Sequence, residues 1–199
     1  MRRELAAAAA LLSLVALPAC KKEQKPTPAQ SREFTKAADA AGTKQNMVDA
    51  LGGAANLSTL ANFTKSAGLD KTFSGVGAYT IFAPTDDAFA KLPEAQRKRL
   101  ETKEGRPQLI AMLRQHVVTG YIPQADMEKG IARNGGAASM ATMGGAPIRI
   151  HRVNGAFVLG SGDTGPKVSG APIISRNGVI YPIDQVIPPA TAPGKAKPG

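Results

Sequence analysis

Few residues in this chain are of the types that carry out catalysis or bind metals, and their spacing in the sequence indicates whether they can form a site. The sequence has two histidines, His116 and His151, and one cysteine, Cys20. A covalent enzyme needs a nucleophile beside a base, and a metalloenzyme needs several ligands at fixed spacing. Neither a His-Glu-x-x-His motif nor a Gly-x-Ser-x-Gly motif occurs. The sequence therefore predicts a protein that is not an enzyme, with no metal site and no cofactor.

Both histidines have structural interpretations. His116 follows the apolar positions of a predicted helix. One histidine without partners does not make a site, so a core histidine bonded to backbone is favoured over a ligand or a catalyst. His151 alternates with Ile148 and Ile150, which places it on the opposite face of a predicted strand, where it is expected to be solvated.

The aspartates and one glycine-rich segment are interpreted in the same way. Asp86 and Asp87 fall in the predicted first turn of a helix, so capping is favoured over an acid–base or metal pair. Asp184 lies in a predicted strand and is expected to accept hydrogen bonds from backbone amides or a nearby arginine. Residues 160–165 fit Gly-x-Gly-x-x-Gly, but Pro166 and a strand follow rather than a helix. This segment is therefore predicted to be a connecting loop.

The N-terminus is typical of a secretion signal. Two arginines precede an apolar stretch, residues 5–17, which is shorter than the ~20 residues that span a bilayer. The sequence Leu-Pro-Ala-Cys, ending at Cys20, resembles the processing site of bacterial lipoproteins, in which the cysteine is acylated. We therefore expect residues 1–19 to be a signal peptide and Cys20 to attach lipid, placing the protein at a membrane of the cell envelope, at the periplasmic face or the outer membrane. The alternative is an incidental cysteine in an ordinary cleaved signal.

Composition divides the rest of the chain into three parts. Residues 20–44 are rich in Lys, Gln, Pro and Ala and are predicted to be a flexible tether. Residues 45–189 are long enough for one domain with its own core. Residues 190–199 form a second polar Pro/Gly segment, predicted to be disordered. The formal charge of the chain is +10, but the domain holds 15 basic and 11 acidic residues, and this mild excess argues against nucleic acid as a partner.

Residues 79–83 form the strongest predicted strand. This run of aromatic, β-branched and apolar residues is bounded by glycine and by Pro84, which is expected to end it. Thr85 or Asp86 can then cap the helix that follows. A buried strand, a proline turn and a capped helix are thus predicted within about a dozen residues.

Helical spacing of apolar residues is confined to the first part of the domain. It predicts helices near 47–52, 57–67 and 107–117, and a further helix begins after Pro93. After Met127 the apolar pattern changes to a period of two, which is typical of strands. Helices followed by antiparallel hairpins indicate the α+β class.

Two Asn-Gly pairs indicate where hairpins turn. Asn154-Gly155 predicts a type I′ turn. With a two-residue loop, Ile150 pairs with Leu159 and shares a face with it.

The second pair, Asn177-Gly178, predicts a similar hairpin between residues 171–176 and 179–187. Pro182 lies inside the second of these strands and has no amide hydrogen. We therefore expect a sheet edge or a bulge at that point.

Three segments in this order resemble the sequence boxes of the fasciclin (FAS1) family. They are TIFAPTDDAF (residues 80–89), LRQHVVTGYIPQADM (113–127) and NGVIYPIDQVIPP (177–189), so the resemblance spans about residues 45–189. It implies a FAS1-like fold, with helices of the first half packed on hairpins of the second half. It also implies a role in adhesion through a protein or glycan partner.

The resemblance also implies a candidate contact surface. In some members of the family the second box contacts a receptor through a Tyr-His pair and flanking branched apolar residues. The matching residues here are Leu113, His116, Val117 and Val118, whereas Gln115 stands in place of the tyrosine.

A separate candidate surface comes from charge. Arg97, Lys98 and Arg99 are consecutive in a predicted helix, with Lys103 and Arg106 close behind. Such a run is consistent with a simple solvated helix face or with a docking patch for anionic glycan or lipid headgroups.

Together these observations predict a lipid-anchored cell-envelope binding module that acts through an unidentified extracellular or periplasmic protein or glycan. A periplasmic scaffold or ligand carrier is the alternative, and an envelope enzyme ranks last. The enzyme hypothesis requires a pocket that joins His116 to Asp184.

Overall fold

The computed structural model of the chain describes residues 43–75 and 77–188. The predictions for the signal peptide, for Cys20, for most of the tether and for residues 190–199 lie outside this range. The helices are α1 (Met47–Gly53), α2 (Ser58–Ala67), α3 (Asp70–Phe73), α4 (Asp86–Ala90), α5 (Glu94–Leu100), α6 (Arg106–Gln115) and α7 (Gln124–Arg133). The strands are β1 (Tyr79–Pro84), β2 (Val117–Thr119), β3 (Ala137–Met140), β4 (Ile148–Val153), β5 (Ala156–Leu159), β6 (Ile173–Ser175) and β7 (Gly178–Ile183).

A four-stranded sheet, in the order β2-β1-β7-β6, forms the centre of the domain. Its two middle strands are the first and the last strands in the sequence. They run parallel, with Tyr79 paired to Gly178 and Pro84 to Ile183. The outer strands pair antiparallel with their neighbours. The first and last of the three sequence boxes are therefore adjacent in space. The prediction of antiparallel hairpins did not include this parallel pair.

A three-stranded antiparallel sheet, in the order β3-β4-β5, contains the first predicted hairpin. Ile150 pairs with Leu159, as predicted. Asn154 and Gly155 have φ values of 49° and 80°, the two positive angles that a type I′ turn requires. This hairpin prediction is confirmed.

The second hairpin exists, but its turn is displaced by one residue from the prediction. Ser175 pairs with Gly178, so Arg176 and Asn177 form the turn. Asn177 does not have the positive φ angle of a type I′ turn. The reason is tertiary, because the Asn177 side chain is buried and hydrogen bonded to other parts of the fold.

Pro182 is tolerated inside a central strand because its missing amide faces away from β1. The strand pairs with β1 through Ala83 without a bulge, which excludes the second of the two predicted alternatives. On the other side of β7, the pairing with β6 extends only as far as Ile173, which lies opposite Ile180. The Pro182 carbonyl on that side accepts a hydrogen bond from the Ser169 amide at 2.9 Å. Pro182 thus occupies a local edge, although β7 as a whole is not an edge strand.

Two helix boundaries differ from the prediction. The helix expected over 107–117 ends at Gln115, and Val117 lies in β2. Helical structure continues beyond Met127 to Arg133. Strand β3 was not predicted. The apolar spacing of residues 109–117 fits a helix, but backbone pairing with β1 decides the conformation of the last residues.

The central sheet separates two apolar cores. The helix-side core packs α1, α2 and α6 against one face of β1 and β7 and includes Leu60, Phe63, Leu109, Ile81 and Ile180. The sheet-side core lies between the other face and the three-stranded sheet and includes Phe82, Tyr181, Ile150, Leu159 and Met127. Alternate residues of β1 and β7 thus serve opposite cores. This arrangement confirms the α+β class.

None of the helices within residues 43–75 and 77–188 combines the length and apolar character needed to cross a bilayer.

Candidate functional site

The residues matched to the second box lie at the join between α6 and β2 and are buried. Leu113 and Val117 belong to the helix-side core, whereas Val118 belongs to the sheet-side core. His116 follows the last residue of α6 and is 1% exposed. Gln115, the residue in place of the family tyrosine, is also buried, and its side-chain amide donates to the Ala146 carbonyl at 3.1 Å.

His116 holds two backbone segments together. Its Nδ1 lies 2.8 Å from the Met112 carbonyl oxygen, and its Nε2 accepts a hydrogen bond from the Ile187 amide at 2.9 Å. Because a carbonyl only accepts and an amide only donates, the ring must be neutral with its proton on Nδ1. Burial lowers the pKa of His116 to about 4, so the ring is uncharged at neutral pH.

The structural interpretation of His116 as a core histidine is therefore confirmed. A direct contact between the second box and a partner stays a prediction. In the folded domain these four side chains are buried beneath the surface and are not themselves exposed to a partner.

The acidic residues are accounted for by local structure. Thr85 caps α4 by accepting from the Ala88 amide at 3.2 Å. Asp86 caps a different helix, α2, because its carboxylate accepts from the Thr59 amide at 2.7 Å and from the Ser58 hydroxyl at 2.9 Å. Desolvation by burial, the largest single influence, raises the pKa of Asp86. The hydrogen bonds from Thr59 and Ser58 together outweigh it, so the pKa of Asp86 is lowered overall. Capping is therefore confirmed for Asp86, although its target is α2 rather than the helix that Asp86 begins.

Asp184 and His116 lie in separate networks. The Asp184 carboxylate accepts from the Lys167 amide at 2.7 Å, the backbone partner that the sequence predicts. Neither this bond nor those of His116 joins the two residues. His151 is largely covered, and its Nε2 lies 3.4 Å from the exposed carboxylate of Asp163. The pocket required by the enzyme hypothesis is therefore not formed by these two residues.

The predicted basic run is at the surface. Arg97, Lys98 and Arg99 are exposed on α5. Lys98 pairs with Glu94 at 2.7 Å, an exposed contact that contributes little to stability. Arg97 and Arg99 form no ion pair with any residue of the described ranges. Two strong positive charges are thus left to solvent or to a ligand.

Beside this run lies a groove of about 420 Å³ between α2 and the α5–α6 loop, which we call the basic groove. Lys103 and Arg106 stand on the loop side. The residues that line the groove are Thr59, Asn62, Phe63, Ser66, Leu100, Glu101, Thr102, Lys103, Arg106 and Leu109. The polar residues of α2 were not singled out from the sequence, although Thr59, Asn62 and Ser66 recur at helical spacing on one face.

Hydrogen bonds and close packing fix the loop that carries these cations. The Thr102 hydroxyl donates to the Arg99 carbonyl at 2.9 Å and accepts from the Gly105 amide at 3.0 Å. A Cβ added at Gly105 would lie 1.8 Å from the Arg99 carbonyl oxygen, so only glycine fits there. The loop is therefore closed tightly on itself, and Lys103 and Arg106 project from a defined backbone.

Potential metal ligands do not cluster in the part of the chain that the structure describes. No cluster there contains three or more His, Cys, Asp or Glu side chains placed to hold a metal ion. In the same part, no buried side-chain nitrogen or oxygen lacks a hydrogen-bond partner.

Comparison with known proteins places this geometry in a family. The sequence profile of the Fasciclin domain matches residues 55–189. Protein sll1483 of Synechocystis sp. is 32% identical over 151 residues, which cover 75% of this chain and 77% of that protein. Transforming growth factor-beta-induced protein ig-h3 of Sus scrofa is 30% identical over 150 residues, covering 74% of this chain but only 20% of that protein.

A solved structure has the same fold. The FAS1 domain pair of the insect cell adhesion molecule Fasciclin I superimposes with a TM-score of 0.65 at 17% identity. The match covers 73% of this chain and 51% of that chain. The fold, the ordered sequence boxes and the profile match agree, and the chain therefore belongs to the fasciclin family.

Proposed function

We propose that this chain is a lipid-anchored binding module of the bacterial cell envelope, which mediates adhesion through its fasciclin domain. The partner is an extracellular or periplasmic protein or glycan. Lipid on Cys20 holds the domain at the membrane, and residues 20–44 act as a flexible tether that lets the domain extend away from it. The domain works by binding rather than by catalysis.

The observation that carries this proposal is the distribution of satisfied and unsatisfied polar groups. Inside the described domain, the two ring nitrogens of His116 are both occupied by backbone, and the other buried polar side chains have partners. On the outside, Arg97 and Arg99 have no ion-pair partner in the described ranges and lie beside an open groove. Polar groups available to another molecule are therefore on the surface.

The family supports the same conclusion. A relative by fold is titled a cell adhesion molecule, and bacterial relatives of similar length match most of this chain. A single domain on a tether suits adhesion to a neighbouring surface better than chemistry inside a sealed pocket.

Removal of the domain tests the proposal directly. Cells that produce a chain lacking residues 45–189 but keeping residues 1–44 are expected to lose attachment to the envelope matrix or surface, because the anchor alone has no recognition surface. Attachment is counted against cells with the full chain at equal expression. Unchanged attachment would reject an adhesive role.

The anchor is tested by one substitution. Cys20→Ala is expected to move the protein from the membrane pellet to the soluble fraction, because the chain then has no cysteine to acylate. Fractionation in high salt is the measurement, and a Lys21→Ala variant, which keeps the cysteine, is the control. Retention of Cys20→Ala in salt-washed membranes would contradict acylation at this residue.

A further inference from the structure

We infer that the basic groove is a binding site for an anionic polysaccharide, one whose sugar units carry both hydroxyl groups and a carboxylate, sulfate or phosphate. This inference rests on the proposed function, since it names the chemistry of the partner that the domain would hold. It also moves the contact from the run Arg97–Arg99 to the groove beside it.

The first argument is shape. The groove of about 420 Å³ falls within the roughly 300–1,000 Å³ typical of ligand pockets. A neighbouring cavity of about 150 Å³ shares Thr59, Phe63 and Glu101 with it and adds Arg97. The two together form one trough along α2. A groove that continues into a second cavity has room for more than one unit of a polymer.

The second argument is the distribution of charge. Lys103 and Arg106 line the groove, and Arg97 lines its extension; none of the three forms an ion pair with a described residue. The Arg106 guanidinium lies at the C-terminal end of α2, 3.6 Å from where a Cβ on Gly68 would be. The cations thus line both parts of the trough, Arg97 in the extension and the other two in the groove itself. A ligand with more than one anionic group can contact several of them at once.

The third argument is the uncharged polar lining. Thr59, Asn62 and Ser66 line the groove from α2, and the Asn62 side-chain amide is exposed there. The Ser66 hydroxyl donates to the Asn62 carbonyl and can still accept a hydrogen bond, whereas the Thr102 hydroxyl is used within its own loop. Such groups both donate and accept hydrogen bonds, as sugar hydroxyls do.

The acidic residues of the trough also bear on the ligand. Glu101 is available to accept a hydrogen bond from a sugar hydroxyl. The other acid, Asp86, is already occupied by its bonds to Ser58 and Thr59.

A negatively charged membrane is the competing partner, and the geometry favours the polysaccharide. Proteins that bind the surface of an anionic bilayer commonly combine basic residues with exposed apolar side chains that insert between the lipids. Here Phe63, Leu100 and Leu109, the large apolar residues of the groove, are buried in its floor. The cations and polar groups line the two walls of a concave groove. A flat bilayer could not contact both walls at once.

The test uses the full-length protein with Cys20→Ala, which has no cysteine to acylate and therefore needs no detergent, and measures its binding to polygalacturonate, to neutral dextran and to vesicles of phosphatidylglycerol. We expect saturable binding to polygalacturonate and none to dextran. The double variant Lys103→Gln/Arg106→Gln is expected to weaken that binding at least tenfold, and Arg133→Gln, an exposed cation on α7, is the matched control with an expected change below about twofold.

A charge-neutral variant separates a built site from simple attraction of a polyanion. Asn62→Ala leaves the net charge unchanged. Because the Asn62 side chain is exposed, the fold should tolerate the substitution. It is expected to weaken polygalacturonate binding about two- to fivefold, the value of one hydrogen bond. Binding equal to that of the unsubstituted protein for both Asn62→Ala and the double variant would overturn the inference.

Two further outcomes also decide against it. Binding to phosphatidylglycerol vesicles but not to polygalacturonate would identify lipid as the ligand. Attachment of cells that persists in the double variant but is lost on deletion of residues 45–189 would leave the adhesive function standing and remove the groove from it.

Discussion

Replacing Asn177 by alanine is expected to lower the free energy of unfolding by about 3–5 kcal/mol, a large share of the roughly 5–15 kcal/mol that stabilises a typical domain. The side chain is 3% exposed. Its Oδ1 accepts from the Met47 amide at 2.8 Å, and its Nδ2 donates to the carbonyls of Phe73 and Gly75 at 2.5 and 3.0 Å. One amide thus joins the start of α1 and the end of α3 to the β6–β7 turn.

The size of the effect follows from what the substitution leaves behind. Alanine removes one partner of each bond and leaves three backbone groups without one, and two of the three bonds are buried. Each buried group left in this state costs about 1–3 kcal/mol, whereas the net value of an ordinary hydrogen bond is near 1 kcal/mol. The Gly75 carbonyl is only partly buried, which keeps the total below the sum of the upper values.

Urea unfolding followed by circular dichroism measures the change. Asn134→Ala is the matched control, because that exposed side chain makes one local bond, to the Gly130 carbonyl at 2.7 Å, and its loss should cost less than about 1 kcal/mol. Asn177→Asp adds a second test, since it keeps the acceptor for Met47 but offers no donor to the two carbonyls. If Asn177→Ala cost no more than the control, the proposed junction would be wrong.

Asn177 also illustrates where local sequence reasoning stops. At Asn154 the same Asn-Gly signal predicts both the turn and the register, because nothing outside the hairpin competes for the side chain. At Asn177 the side chain bonds to segments more than 100 residues away, and the turn moves by one residue to accommodate them. A two-residue motif contains no information about such partners.

The central sheet shows the same limit on a larger scale. The composition of residues 79–83 predicts a buried strand, and the structure has one. Its parallel neighbour, β7, lies about 100 residues further along the chain, so no local pattern indicates which strand would pair with it. Family resemblance indicated the fold, whereas periodicity alone indicated only the types of element.

The candidate site was predictable in its charges but not in its shape. Arg97, Lys103 and Arg106 are visible as a basic run in the sequence. The groove exists because α2, some 40 residues earlier, lies against the α5–α6 loop and contributes polar residues such as Asn62. Asp86 caps that same helix from 27 residues away, a contact that fixes one end of the groove wall. Sites formed between distant segments become visible only when the packing is known.

The other large expected effect is a loss of stability in acid that depends on His116. Its pKa is lowered from 6.5 to about 4 in the folded domain, chiefly by burial. Between these values the unfolded chain binds the proton more readily than the folded chain, so the free energy of unfolding falls as pH falls. The contribution is fully present above pH 6.5 and is lost progressively as the pH approaches 4.

The size of this effect can be isolated with a variant that does not titrate. His116→Gln retains an acceptor and a donor and is expected to be less stable than the unsubstituted domain at pH 7. From pH 7 to pH 4.5 the difference in unfolding free energy between the two should shrink by roughly 2–3 kcal/mol, because only the histidine loses stability through protonation. Urea titrations at both values measure it. Asn134→Ala, at an exposed side chain that does not titrate, is the control, and its difference from the unsubstituted domain should be the same at both pH values.

Protonation should also act locally before the whole domain unfolds. A proton on Nε2 would convert the acceptor of the Ile187 amide into a second donor, so that bond cannot survive in the charged state. The protection factor of the Ile187 amide, which corrects its exchange rate for the intrinsic pH dependence of amide exchange, is therefore expected to fall in acid earlier than that of Ile180, in the centre of β7. An equal fall in protection at both amides would mean that acid opens the domain only globally. A constant stability gap between the domain and His116→Gln across this pH range would contradict the proposed role of the histidine altogether.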